Sequence, residues 1–93
     1  MIRQLHDWKV LVDTMIEKVW EYIDEVDYWN EGAKIWVDAP NLSVVLAEED
    51  EVRPGEGTPV ERFIKKNARG KEEPNGDRIE EYAYQWFDFR VVD

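Results

Sequence analysis

Residues 1–93 read as a single domain with one core, and twenty-two acids against twelve bases give a net charge of −10. That balance removes the basic footprint which nucleic acid or an anionic membrane surface requires. The absence of cysteine excludes disulfides, thiolate nucleophiles and thiolate metal sites.

The first element is a strand expected over residues 4–12, on the apolar run Val10-Leu11-Val12. Leu5 and Trp8 also fit a helical stripe, so one long helix from residue 4 is the competing reading. A helix is expected over about 14–29. Met15, Ile16, Val19, Ile23 and Val26 recur at three- and four-residue spacing, with Glu17, Glu21, Asp24 and Glu25 on the opposite side. Thr14 followed by Glu17 matches a capping box, and Asn30 and Gly32 supply residues suited to ending a helix.

Beyond Gly32 the pattern turns to strands. Lys34–Asp38 and Leu42–Ala47 are expected as the first two, separated by Ala39-Pro40-Asn41 and followed by the acidic run Glu48–Glu51. Arg53-Pro54-Gly55-Glu56-Gly57 reads as a turn, and Thr58–Lys66 as a third strand. Asn75-Gly76 carries the hairpin signal, leading into a long strand over Arg78–Val92 with a bulge near Trp86 or with both faces covered. The fold class is α+β: one amphipathic helix packed on an antiparallel meander of four to five strands.

Chemistry-bearing groups are few. His6 is the lone histidine and reads as an exposed structural residue; Ser43 has no motif around it. Asp24, Asp27 and Glu31 share a helix face at a spacing able to hold a hard cation, and Glu48–Glu51 could do so on a loop. Neither has the alternating ligands of a calcium loop, so both read as solvated acidic surface. Gly55-Glu56-Gly57 lies between strands, where Glu56 would repel a phosphate. No catalytic set, cofactor or metal is expected.

The aromatic content is the unusual property, at 13% of the chain with five tryptophans. Rings with polar tips line cavities and interfaces, so the set is either a bulky core or dimer interface, or a pocket. The candidate ligand-binding residues are Trp20, Trp36, Phe63, Tyr82, Tyr84 and Trp86.

Two segments carry a resemblance. "TMIEKVWEYIDEVDYW", with its Val19-Trp20 pair and its close from Asp24 to Trp29, is similar to the first helix of the START/Bet v 1-like superfamily, the SRPBCC or polyketide cyclase type. "PGEGTPVERF" with Arg62 and Phe63, then "NGDRIEEYAYQWFDFRVVD", resembles that family's central meander. The resemblance implies a helix-grip fold, in which a curved sheet wraps a cavity for lipids, steroids, polyketides or hormones. Some members are cyclases or hydrolases, and no fixed catalytic set comes with the family. The pattern departs from it in lacking the long C-terminal helix that closes the cavity, a part a second copy would have to supply.

The first expectation is therefore a non-catalytic domain holding a small hydrophobic ligand in an aromatic-lined cavity between helix and sheet. The alternative is an acidic interaction module, of the immunity, inhibitor or nucleic-acid-mimic kind, that binds a basic protein partner. An enzyme ranks last. A homodimer is expected, because a chain this short buries only about 60–65% of its unfolded surface. MIRQLHDWKV lacks a signal-peptide run, and no stretch approaches the ~18 apolar residues of a membrane span, so the expected location is cytoplasmic.

Overall fold

A computed structural model describes residues 5–29, 32–38, 41, 43–53 and 55–85. Within them the α+β expectation holds, as two helices and two small antiparallel sheets. No helix among the described residues is long and apolar enough to cross a membrane.

The first helix, α1, runs over Leu5–Asp24. The strand expected over 4–12 is thus helical. Leu11, Val12, Met15, Val19 and Tyr22 are all buried, with Trp8 packed beside them. That continuous stripe outweighs the β-preference of Val10-Leu11-Val12, which is a weak and context-dependent term. Thr14 does not cap the helix. It sits in the helix interior, where its Oγ1 donates to the Val10 carbonyl at 2.8 Å, one turn back.

The helix also ends earlier than residue 29. After Asp24 the chain tightens: Tyr28 N–H donates to the Glu25 carbonyl at 2.9 Å, and Trp29 N–H to the Val26 carbonyl at 3.2 Å. These three-residue turns change the phase of the stripe. Trp29 folds back on Tyr22, with ring centroids 6.3 Å apart, and Val26 is left 51% exposed instead of buried. Gly32, at φ 87°, then turns the chain into the sheet.

The larger sheet comprises β1 (Ala33–Asp38), β2 (Ser43–Glu48) and β3 (Thr58–Pro59), in the order β2-β1-β3. Ala33, Ile35 and Val37 face the core, while Lys34, Trp36 and Asp38 face away. The β1–β2 register pairs Ala33 with Glu48 and Asp38 with Ser43. Because Glu49 N–H donates to the Gly32 carbonyl at 3.3 Å, alternation places the backbone groups of Ser43, Val45 and Ala47 toward β1. Those of Val44 and Leu46 point outward along the sheet edge. Gly57, at φ 71°, lies against β1, where a Cβ would come within 3.2 Å of Lys34 Cβ.

The strand expected over 58–66 is broken. A 3-10 turn over Val60–Phe63 separates β3 from β4 (Ile64–Lys66). Val60 and Phe63 are both buried, and residues three apart share one side of a 3-10 turn but opposite faces of a strand. β4 pairs with β5 (Glu72–Pro74). Their connection is organised by Asn67, whose Oδ1 accepts from Arg69 N–H at 2.8 Å and Lys71 N–H at 3.1 Å.

Asn75-Gly76 is not a hairpin. It opens a second helix, α2 (Gly76–Tyr84), where a strand is expected. Asn75 Oδ1 caps the helix by accepting from Arg78 N–H at 3.2 Å, and Asn75 N–H donates to the Phe63 carbonyl at 2.7 Å. Ile79 and Ala83, four apart, are both fully buried against the core. The remainder of that expected strand, including the bulge near Trp86, lies outside the described residues.

Candidate functional site

The core is filled by side chains. Leu11, Met15 and Val19 of α1 meet Ile35, Val60, Phe63, Ile79 and Ala83, none of them more than 2% exposed. The aromatic candidates are distributed around this core. Phe63 belongs to it, and Tyr82 packs edge-on against Phe63 with centroids 5.0 Å apart. Trp20 is 43% exposed on α1, and Trp36 is half-buried on the outer face of β1 beside Gly57. Tyr84 is 53% exposed and meets Trp8 edge to face at 6.1 Å; Trp86 lies outside the described residues. Of the set, the fold brings Phe63 and Tyr82 into ring contact.

The acidic segments, by contrast, come together. The Glu49 N–H to Gly32 carbonyl bond and the Ala33–Glu48 pairing bring the 3-10 turn Glu49–Glu51 beside the chain leaving α1. Gly32 N–H donates in turn to the Trp29 carbonyl at 2.9 Å, which ties that point to the turns after Asp24. A side chain on residue 32 would come within 3.2 Å of Glu49 Oε2. Asp24, Glu25, Asp27, Glu49, Asp50 and Glu51 are all exposed at this end. Among the described residues none of these six has an ion-pair partner; the ion pairs there are Lys18–Glu21 at 3.6 Å and Lys65–Glu73 at 3.9 Å.

The electrostatics of this end are unfavourable to the fold itself. Asp24 lies in the last turn of α1, which holds no basic residue, so carboxylates crowd the negative pole of the helix dipole. Carboxylates outside this end act on the core as well. Burial first, then the charges of Glu61 and Glu72, pushes the Tyr22 phenol above its ordinary value. Flanking Asp27 in the chain are Val26, 51% exposed, and Tyr28, 67% exposed.

This convergence is weakly signalled in the sequence. Two six-residue strands joined by a short connection must return the chain to where it started, which sets the turn after β2 beside Gly32. The cation readings fare differently: Glu31 lies outside the described residues, and no group of three or more His, Cys, Asp or Glu side chains among the described residues could hold a metal ion.

No family model, no curated protein and no solved structure matches the chain. Its own surfaces decide what it can do.

Proposed function

We infer that the chain is a protein-interaction module that binds a basic partner through the acidic end around Gly32. The observation that supports this reading is the meeting of the post-α1 turns with the Glu49–Glu51 turn through the Glu49–Gly32 hydrogen bond. Asp24 and Glu25 at the negative pole of α1 oppose stability, and none of the six carboxylates has an ion-pair partner among the described residues. A partner's lysines and arginines would relieve that repulsion on binding. Exposed Tyr28 and Val26, on either side of Asp27 in the chain, supply apolar contact, and tyrosine is favoured at the hot spots of interfaces. A ligand buried between helix and sheet has less support, because Leu11, Met15, Val19 and Ile35 fill that space.

The test is a fluorescence-anisotropy titration with an arginine-rich peptide as the basic probe. It compares Asp24→Asn/Glu25→Gln/Asp27→Asn with the charge-matched Asp77→Asn/Glu80→Gln/Glu81→Gln on α2. The second set lies toward the other end of α1, where Trp8 Nε1–H donates to the Glu80 carbonyl. Trp8 and Asp24 are about 24 Å apart along the helix axis. The first set should weaken binding by about ten-fold and flatten its salt dependence, and the second should do little. Equal losses from both sets would mean that only total charge matters, and would refute the reading.

A further inference from the structure

A second region has the opposite charge character. Between the 3-10 turn Val60–Phe63 and α2 runs an open groove of about 450 Å³, within the usual range for small-molecule sites. Arg62 enters it from the turn and Arg78 from the helix. Arg78 Nη1 donates to the Arg62 carbonyl at 3.4 Å, which ties one guanidinium to the backbone of the other arginine. In a chain with twenty-two acids for twelve bases, two arginines lining one groove should each find a carboxylate. Among the described residues neither has one within 4.0 Å, although Glu81 also lines the groove. The apolar side of the groove is formed by Tyr82, half-buried, set against Phe63 at 63° between ring planes.

We propose that this groove binds a small organic monocarboxylate with a flat apolar body. A guanidinium fork matches a carboxylate with two parallel N–H donors, and an aromatic face accepts a ring beside it. Two cations and one anion leave the groove one positive charge. That matches a monoanion, while Glu81 disfavours a dianion such as phosphate. Gln85 lies on the same lining and can bond a polar substituent on the ligand. The site involves neither the acidic end nor its partner, so its failure would leave the interaction reading untouched.

The probes are benzoate, its neutral isostere benzamide, and inorganic phosphate, added to isotopically labelled protein. The readout is the arginine Nε–Hε and Tyr82 ring resonances. Benzoate should move the Arg62, Arg78 and Tyr82 signals saturably, with benzamide at least about ten-fold weaker. Arg62→Gln and Arg78→Gln should each weaken benzoate by about ten-fold, and Arg78→Lys should recover only part, because ammonium lacks the fork. Both arginines are exposed, so an unchanged amide spectrum will confirm that the variants fold. No saturable shift below about 20 mM benzoate, a Kd weaker than any useful affinity, overturns the site. So does binding that survives both glutamine variants. Phosphate binding as tightly as benzoate overturns the ligand class.

Discussion

Gly76→Ala should stabilise the protein, and the sign of that effect separates a helix start from a hairpin. Gly76 is the first residue of α2 and is not among the glycines at positive φ. A Cβ built on it meets nothing within 4 Å. At such a position alanine restricts the unfolded chain without straining the folded one, for a gain of about 0.4–1 kcal/mol. A domain of this size moves about 4–8 °C per kcal/mol, so Tm should rise by roughly 2–8 °C. If Asn75-Gly76 instead formed the centre of a type I′ turn, residue 76 would require positive φ. Alanine would then cost about 1–2 kcal/mol. Thermal and urea denaturation followed by circular dichroism measure the difference directly. Asn75→Ala is the companion variant: it removes the acceptor for Arg78 N–H and should cost about 1 kcal/mol. A Tm lowered by several degrees in Gly76→Ala would refute the assignment of α2.

Three further outcomes follow from the core and the charges. Phe63→Ala, at a ring 2% exposed under Tyr82, should cost about 3–5 kcal/mol in urea denaturation; a loss below about 1 kcal/mol would mean the ring is not seated in the core. Asp24→Asn should raise stability by about 0.3–1 kcal/mol at low ionic strength, with the gain shrinking in ~1 M salt; a loss would contradict its place at the negative pole of α1. Tyr22→Phe addresses alkaline pH. The folded state holds the phenol neutral above 10.0, so its contribution is intact below that pH and is lost as pH rises through the raised folded value. The variant should therefore flatten the decline in stability above pH 10.0, and an unchanged slope there would refute the role of burial at Tyr22.

The stripe of Met15, Val19 and Tyr22 is legible because helical periodicity is local and repeats over several turns. Strands β1 and β2 are legible within a residue or two for the same reason, since alternation in Ala33–Asp38 needs only neighbouring residues. The ends of α1 are not. Thr14 and Glu17 satisfy the capping pattern equally well inside a helix, and only the burial of Trp8 and Leu11 decides where α1 starts. Asn75-Gly76 is likewise both a turn signal and a cap signal. The choice rests on Ile79 and Ala83 finding a filled core to face, which is a tertiary fact. The acidic end has the same character: its members are plain in the sequence, but their meeting depends on the return of β2 to Gly32.

The outward backbone groups of Val44 and Leu46 tie the chain's charge to its colloidal behaviour. They form an edge with no further strand beside it among the described residues, carrying neither proline nor lysine to blunt it. Ten net negative charges keep two such edges apart at neutral pH. Near the isoelectric point of about 4.5 that repulsion vanishes while the edge persists. Acidification thus removes the barrier to ordered strand-by-strand assembly, and β2 is where such assembly would begin.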